Sequence, residues 1–401
     1  MTSDKGQVTS DKAYSLELET MTTNNNLNAI ELFAGIGGFR LGMQAAGIET
    51  IWANDINPLS CQVYASNFGE NSIVCGDIWQ YPISAIPDHD LLTAGFPCQP
   101  FSPAGKKLGV RDGHRGTIFQ RIAEIIQAKQ PRYFLLENVK RILTMENGHH
   151  FKIILAALSE LNYFIEWRLL NAVNFGIPQN RERVFILGTK LDAREQEKNW
   201  EGLARFLTDG DMVDTRSLPS RLKPLDHQKN NYNWGLCFQG RMWTCQLPPL
   251  PDIKPRRMLK DILQDDGEID GQFDFTDDTR ERIKASEAVN RFYNGVEILY
   301  NQKGGARLGY TIFGINGVAS TLTASTSRHY ERYQIGQKFR RLTNVEYARI
   351  MGFPDNWCRV ARIYDQYALF GNAVVPDCVA WVCHLLLAVL WINCNGEGHI
   401  L

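Results

Sequence analysis

The first 190 residues alternate short apolar runs with amphipathic stretches, a pattern that predicts strands and helices in turn. Helices are predicted between the strands, ending at Ala46, Asn67, Lys129 and Leu161. The predicted strands are Asn28–Phe33, Glu49–Ala53, Ser72–Cys75, Leu91–Gly95, Arg132–Leu136, Tyr163–Ala172 and Arg183–Leu187. Strand–helix alternation with short connections predicts βαβ units, and therefore an α/β fold with a parallel sheet.

This alternation stops near Lys190. From there to about Gly336 the prolines are scattered and periodic segments are few, which predicts a second, smaller and irregular domain. Helical periodicity returns at Thr343–Met351 and after Pro376, where the chain is apolar enough to pack back on the first domain. Residues 1–26 are polar and contain no apolar core, so we expect a disordered leader and no secretory signal.

Composition narrows the class of protein. A length of 401 residues exceeds one ordinary core, in agreement with two domains. A formal net charge of -1 means that a nucleic-acid surface must be a local patch. Nine cysteines without metal-binding spacing predict reduced thiols in a cytoplasmic protein. The apolar run Val379–Ile392 contains His384 and is too short for a membrane span, so we expect a buried helix and no membrane partner.

The stretch after the fourth predicted strand, Gly95-Phe-Pro-Cys98-Gln-Pro-Phe-Ser102, places one thiol between two prolines. Each proline fixes its own φ and restricts the residue before it, so Cys98 has little backbone freedom. Open α/β sheets place reactive groups at the carboxyl ends of strands. Most lone cysteines are structural, but a core position needs neither the prolines nor the polar neighbours. We interpret Cys98 as a nucleophile.

The amino-terminal strands carry features of an adenosine site. Gly35 and Gly37 follow the first strand, but Arg40 occupies the position of the third glycine of a dinucleotide fingerprint, which argues against NAD or FAD. Asp55 closes the second strand and can accept ribose hydroxyls, while Asp77 closes the third and can accept an adenine amino group. Helix N-capping is the alternative for both acids. Apolar faces for the ring come from Phe33, Ile56 and Ile78.

A thiolate, an adenosine cofactor and Glu137 after the fifth strand point to methylation of cytosine at C5. Addition of a thiolate at C6 makes C5 enamine-like, and a carboxylic acid at N3 absorbs the charge if desolvation keeps its pKa high. A cation near the thiol lowers the thiol pKa and can hold the pyrimidine O2. Alternation along a strand predicts that Gln179, Arg181 and Arg183 share one face, although a salt-bridged surface strand is the alternative.

These residues resemble the cytosine-C5 DNA methyltransferases, most closely the bacterial modification enzymes. The resemblance runs from about Asn28 to about Leu390 in the order of the family. Its pieces are Phe33-Ala-Gly-Ile-Gly-Gly38, Asn54-Asp55, Gly76-Asp77-Ile78, Gly95 to Ser102, Arg115-Gly-Thr117, Glu137-Asn-Val139, Gln179-Asn-Arg181-Glu-Arg183, Arg341-Leu-Thr343 with Met351-Gly-Phe-Pro354, and Gly371-Asn-Ala-Val-Val-Pro376.

The resemblance implies a Rossmann-like methyltransferase sheet that binds S-adenosylmethionine, with a smaller target-recognition domain. It implies residues 27–190 as the catalytic domain, completed by 367–401, residues 191–340 as the target-recognition domain and 341–366 as a hinge. It makes Cys98 the covalent nucleophile and Glu137 the N3 partner, and it places Arg181 near the thiol and Arg183 near O2. It adds Pro97, Asn372 and Val374 to the cofactor pocket.

The same resemblance implies a mobile catalytic loop from Gln99 to about Arg115 that closes over DNA, with contacts from Gln99, Ser102, Lys106 and Arg115. It implies base flipping in a specific duplex sequence. The expected protein is a cytoplasmic, nucleoid-associated monomer, either the modification enzyme of a restriction-modification system with a cognate endonuclease as genetic partner or a solitary DNA methylase.

The segment Asn301–Arg341 carries a one-sided charge that suits DNA. A solvated surface is the alternative. Ser320–Ala324 resembles the Thr-Leu element of the recognition domain, and we expect Thr321, Arg328 and Arg332 to contact DNA, with Arg328 reading a base edge. The cations, opposed there only by Glu331, are Lys303, Arg307, Arg328, Arg332, Lys338, Arg340 and Arg341. The aromatic residues interleaved with them are Tyr310, Phe313, His329, Tyr330 and Tyr333.

Three other functions compete with this interpretation. The first is the same chemistry on tRNA, against which the long basic insertion argues. The second is methylation of an amino group, whose Pro-Pro-aromatic motif is missing because Pro248-Pro249 lies between leucines. The third is a DNA-binding regulator without catalysis, which the presence of Cys98, Glu137 and Arg183 disfavours.

Overall fold

Strands from two parts of the chain build the central sheet of the molecule. A computed structural model describes residues 27–97, 117–192, 203–207, 218–225, 232–301, 311–324 and 331–395. Within these ranges the strands of the central sheet are β1 (Asn28–Leu32), β2 (Glu49–Asp55), β3 (Val74–Cys75), β4 (Leu91–Gly95), β5 (Tyr133–Val139), β6 (Tyr163–Asn171), β7 (Glu182–Lys190), β8 (Lys223–Pro224), β9 (Trp234–Phe238) and β10 (Arg241–Cys245). Their order across the sheet is β3-β2-β1-β4-β5-β7-β6-β9-β10-β8.

The sheet is mixed and only partly parallel. Strands β1 to β5 run parallel, as the alternation predicts. The prediction is wrong for β7, which pairs antiparallel with both β5 and β6. The physical reason is the connection between β6 and β7, which is too short to contain the crossover helix that a parallel pair requires.

Strands β8 to β10 extend the same sheet. Strand β9 pairs with β6, and Trp234, Leu236 and Cys237 on β9 are fully buried. The predicted boundary at Lys190 therefore does not coincide with the edge of the sheet. The division of the chain into 27–190 and 191–340 remains a prediction.

A second sheet lies in the last third of the described residues, in the order β11-β12-β13-β14-β15. Its strands are β11 (Glu287–Tyr293), β12 (Val296–Asn301), β13 (Thr311–Phe313), β14 (Arg332–Ile335) and β15 (Lys338–Arg340). Its pairs are antiparallel except β13 with β14.

Some of the helices begin after residues whose side chains cap them. Asn57 accepts hydrogen bonds from the amides of Leu59 and Ser60, and Thr343 forms a capping box with Glu346. The helices are α1 (Gly38–Ala45), α2 (Pro58–Phe68), α3 (Ile118–Lys129), α4 (His149–Ser159), α5 (Leu218–Arg221), α6 (Asp277–Lys284), α7 (Asn344–Ile350), α8 (Ile363–Asn372) and α9 (Pro376–Asn395).

Helix α9 and the segment before it pack on α1. A Cβ at Gly38 would collide with the Val374 carbonyl oxygen, and one at Gly42 would lie 2.6 Å from Val379 Cβ. The stretch Ile363–Ala388 is long and apolar enough to cross a membrane by length and composition, with a mean hydropathy of 1.5. It consists of α8 and the first part of α9 with a break between them, and 67% of its apolar window is buried, so it forms part of the core.

Candidate active site

The ends of β4 and β5 bring Glu137 beside the strand that leads to Cys98. Gly95 and Glu137 are directly opposite in the parallel register. A Cβ placed on Gly95 would lie 3.5 Å from Glu137 Oε2, so the carboxylate faces the end of β4. Strand β5 continues through Val139, and Glu137 therefore lies within the strand and not after it as the sequence suggested. Sheet geometry thus places the Glu137 carboxylate opposite Gly95, which lies three residues before Cys98 in the sequence.

Arg183 forms an ion pair with Glu137, with 2.9 Å between Arg183 Nε and Glu137 Oε1. Strand β7 runs antiparallel to β5 and pairs Val139 with Arg183, so Glu137 and Arg183 are diagonal neighbours on one face. Burial raises the pKa of Glu137, while the charges of Arg183 and Arg181 act in the opposite direction. The carboxyl group therefore holds its proton to higher pH than an exposed glutamate does.

Asn138 holds the chain immediately before the predicted nucleophile. Its Nδ2 donates to the Phe96 carbonyl at 2.8 Å, and its Oδ1 accepts from the Val139 amide at 2.9 Å. Asn138 is buried, whereas Pro97 is exposed. The predicted site residues Cys98, Gln99, Ser102, Lys106 and Arg115 lie outside the described residues.

Of the three residues predicted on one strand face, Arg183 alone lies in a strand. Strand β7 begins at Glu182, and the Asn180 amide donates to the Ala319 carbonyl, so the preceding segment pairs with residue 319. The guanidinium of Arg181 is 2% exposed and donates to the carbonyls of Leu322, Gly371 and Ala373. Burial lowers the pKa of Arg181.

The turn after β1 has the backbone conformation that the glycines predict. Gly35 and Gly37 have φ of +55° and +88°, a region that side chains with a Cβ rarely adopt. Phe33 has φ of 55° as well, which is costly for a bulky residue. Strain of this kind amounts to about 1–3 kcal/mol and concentrates at ligand sites.

Asp55 is bound to this turn and does not cap a helix. Its Oδ2 accepts from the Gly35 amide at 2.8 Å, and its Oδ1 accepts from the Asn57 amide at 2.8 Å. Asn57 caps α2 instead. Burial raises the pKa of Asp55. The next residue, Ile56, is 62% exposed and offers an apolar surface on which a ring can lie.

The other predicted cofactor residues surround the same edge of the sheet. Asp77 is half-buried, and its Oδ1 accepts from the Trp79 amide at 3.0 Å. Ile78 is 2% exposed and belongs to the core, so it offers less surface than the prediction assumed. Asn372 is exposed at the end of α8, and Val374 is buried against Gly38.

The predicted DNA-binding segment is less exposed than its charge suggests. Arg340 forms a fully buried bidentate ion pair with Glu346, with both contacts at 2.7 Å. Phe313 and Tyr333 are buried with their ring centroids 5.6 Å apart. For these three residues the expectation of an exposed DNA-contacting surface is wrong. Arg340 pairs with Glu346, which lies beyond the end of the segment, and the rings of Phe313 and Tyr333 pack on each other.

Two predicted DNA contacts fall on described residues. Thr321 is half-buried, and its hydroxyl donates to the Asn180 carbonyl at 2.6 Å. Arg332 is half-buried with its guanidinium 5.8 Å from the centre of the Phe275 ring. Arg328 lies outside the described residues.

Comparison with known proteins agrees with this geometry. The family model for C-5 cytosine-specific DNA methylase matches residues 27–384. The chain belongs to this family. The methylase is an enzyme that transfers a methyl group to C5 of cytosine in DNA. The family match and the relatives confirm the family and the reaction that the motifs imply, and similar solved structures confirm the fold class.

Relatives match along nearly the whole methylase. The type II methyltransferase M1.ScrFI of Lactococcus lactis subsp. cremoris is 33% identical over 369 residues, 90% of this chain and 78% of that protein. M.HhaI of Haemophilus parahaemolyticus is 30% identical over 362 residues, 89% of this chain and 93% of that protein. The solved structure of DNMT2 from Spodoptera frugiperda has a TM-score of 0.59 at 19% identity, covering 91% of this chain and all of that chain, and this likeness concerns the fold alone.

Sequence reasoning missed a buried cluster beneath the glycine turn. Glu31 is fully buried and accepts a hydrogen bond from the Tyr64 hydroxyl at 3.0 Å. The Arg40 guanidinium lies 4.4 Å from the Phe68 ring centre. A Cβ on Gly37 would collide with the Phe68 ring, so the cluster supports the turn from below. The available signal was the acidic residue at an inward position of an apolar strand.

Proposed function

We propose that the methylase modifies one cytosine within a specific duplex sequence, through base flipping and a covalent bond from Cys98 to C6. The observation that carries this proposal is the Glu137–Arg183 pair at the end of β4, the strand that leads to Cys98. The carboxyl group of Glu137, with its raised pKa, provides a proton donor, and the adjacent guanidinium of Arg183 provides a cation on the same face of the sheet.

The reaction begins with the thiolate of Cys98. It adds to C6 of the cytosine. The electron pair of the C5–C6 double bond shifts to C4–C5, and the pair of the C4–N3 double bond shifts to N3, which takes a proton from Glu137. Arg183 holds the carboxylate and stabilises O2. Arg181 contributes positive charge from its buried position. After C5 has accepted the methyl group, water takes the C5 proton, the released electron pair re-forms the C5–C6 double bond and expels the Cys98 thiolate, and the N3 proton returns to Glu137.

The turn after β1 fits S-adenosylmethionine. Gly35 and Gly37 in the left-handed region let the backbone approach a ligand closely, and exposed Ile56 beside Asp55 suits an adenosine. S-adenosylmethionine supplies the electrophilic methyl group when bound. The residues proposed to hold it are Phe33, Gly35, Gly37, Asp55, Ile56, Asp77, Ile78, Pro97, Asn372 and Val374.

The substrate is proposed to be double-stranded DNA, in which a cytosine must leave the stack to reach a thiol. Relatives named type II methyltransferases support a modification enzyme with a cognate restriction endonuclease as genetic partner, and a solitary DNA methylase is the second candidate. We propose a monomer in the cytoplasm, associated with the nucleoid. The residues proposed to contact DNA are Gln99, Ser102, Lys106, Arg115, Thr321, Arg328 and Arg332.

Bisulfite sequencing of plasmid DNA from cells with and without the methylase tests this function. Protected cytosines in one sequence context are expected. Cys98→Ala should bind the same duplex without methyl transfer, and 5-fluorocytosine at the target position should trap a covalent protein–DNA adduct. Methyl label on an exocyclic nitrogen, or transfer by Cys98→Ala, would contradict the mechanism.

A further inference from the structure

Arg181 is the point at which three distant segments of the chain meet. Its Nη1 donates to the Leu322 carbonyl at 2.9 Å, and its Nη2 donates to the carbonyls of Gly371 at 3.0 Å and Ala373 at 2.8 Å. Leu322 belongs to the Thr-Leu element, whereas Gly371 and Ala373 flank Asn372 of the proposed cofactor site. A single buried side chain therefore binds parts assigned to DNA recognition and to the cofactor.

The residues before Arg181 strengthen the same junction. Gln179 is fully buried, its Oε1 accepts from the Leu322 amide at 3.0 Å, and its Nε2 donates to the Ile350 carbonyl at 3.1 Å. The Ala319 amide donates to the Pro178 carbonyl at 2.8 Å. We call residues 319–324 the recognition segment. Backbone and side-chain hydrogen bonds both hold this segment against residues 178–181.

The fit between the recognition segment and the cofactor segment is close. A Cβ on Gly371 would lie 2.5 Å from the Thr323 carbonyl carbon and 2.7 Å from the Ala324 nitrogen. The backbone of residue 371 therefore contacts the recognition segment directly, while its carbonyl oxygen binds Arg181. Tight packing of this kind transmits small displacements, because neither backbone has room to move independently.

Arg181 is also close to the catalytic end of the site. Arg183, two residues further along, holds Glu137, and the charge of Arg181 itself acts on the Glu137 carboxylate. We propose that Arg181 is a positioning residue that couples the seating of the recognition segment to the placement of the Glu137–Arg183 pair. This inference rests on the proposed function of that pair. It gives Arg181 a role different from the position near the thiol that the resemblance implies.

Arg181→Lys tests the coupling because it keeps a positive charge but loses the planar fork that reaches three carbonyls. Arg168→Lys is the matched control: Arg168 is equally buried, donates to the Phe206 carbonyl and lies on β6 outside the proposed site. Both variants should lower the melting temperature. Arg181→Lys alone should lower kcat on the cognate duplex, by roughly 10- to 100-fold, because small misplacements of catalytic groups have effects of this size.

Thr321→Val gives a milder break at the same junction, since it removes the hydroxyl that donates to the Asn180 carbonyl. It should lower kcat and raise KM for DNA, and Thr321→Ser should restore both. An effect of Thr321→Val on KM alone, or equal loss of kcat in the two lysine variants after correction for the folded fraction, would overturn the coupling. Absence of methylation by the unmodified methylase would instead refute the proposed function, so the two failures are distinguishable.

Discussion

Arg183 approaches Glu137 through Nε, at 2.9 Å from Oε1, while Glu137 Oε2 faces the end of β4. One oxygen of the carboxyl group is thus engaged by the cation and the other is directed toward the strand that precedes Cys98. A carboxyl group held in this way is oriented before any substrate arrives, which is the property that preorganised catalytic groups share.

Glu137→Gln should lower the rate of methyl transfer by about 10²- to 10⁴-fold, because the amide keeps the shape of the side chain but cannot deliver a proton. Single-turnover kinetics with labelled S-adenosylmethionine would measure the loss, and gel-shift titration should give unchanged DNA affinity. Glu182→Gln is the control, since Glu182 pairs with Lys140 on the outside of the sheet. Equal rates in the unmodified and Glu137→Gln enzymes would exclude the assigned role.

The pH profile should respond to Arg183. Its cation favours the charged carboxylate and so opposes the rise in the pKa of Glu137 that burial causes. Arg183→Met removes this opposition, so the carboxyl group should stay protonated to higher pH. The alkaline limb of the rate profile should therefore move to higher pH, and the maximal rate should also be lower. A limb that moves to lower pH in rapid-quench measurements would contradict Glu137 as proton donor.

Asn138→Ala should detach the chain that leads to Cys98. The substitution leaves the buried Phe96 carbonyl without its donor, which costs about 1–3 kcal/mol of folding free energy. The rate of adduct formation with 5-fluorocytosine DNA should fall more than the affinity for S-adenosylmethionine measured by calorimetry. Equal losses in both measurements would point to general destabilisation.

Gly38→Ala should damage the contact between α1 and the segment before α9. The added methyl group would meet the Val374 carbonyl and lie 2.8 Å from Val374 Cγ1, an overpacking that costs about 1–3 kcal/mol. We expect a lower melting temperature and weaker cofactor binding. Gly76→Ala is the comparison, because a Cβ there has nothing within 4 Å and φ is outside the left-handed region. Identical behaviour of the two variants would argue against the contact.

Glu31 should make stability depend on pH. Burial raises the pKa of Glu31 from 4.5 to about 8, so between these values the folded protein keeps a proton that the unfolded chain releases. This contribution to stability is complete below pH 4.5 and declines as pH rises toward 8, by up to about 1.4 kcal/mol per pH unit. Glu31→Gln should remove the decline in denaturant titrations. Glu49→Gln, at an exposed position, should leave it unchanged.

Local sequence patterns predict the features of the site that depend on residues close together in the sequence. The glycines after β1 show their left-handed conformation because the sequence encodes that freedom residue by residue. The placement of Glu137 opposite Gly95 follows from parallel strands that end at one edge.

The remaining features depend on pairing between residues far apart in the sequence. Nothing within β9 indicates that it pairs with β6, and nothing within the connection before β7 indicates that it pairs with residue 319, far away in the sequence. The charge pattern predicts that Arg340 faces DNA, but its partner Glu346 lies in a different element, the helix α7. Charge and spacing do not reveal which guanidinium is buried; the contacts of Arg181 and Arg340 do.

The backward course of β7 makes the catalytic cation sensitive to chain length. In a strand, neighbouring side chains point to opposite faces, and Glu182, just before Arg183, pairs with Lys140 on the outer side. Adding one residue to the connection between β6 and β7 would slide that alternation by one step and bring Glu182 to the position that Arg183 now occupies. A second carboxylate would then face Glu137 where the guanidinium now lies, turning an attraction into a repulsion without changing a single residue of the strand itself.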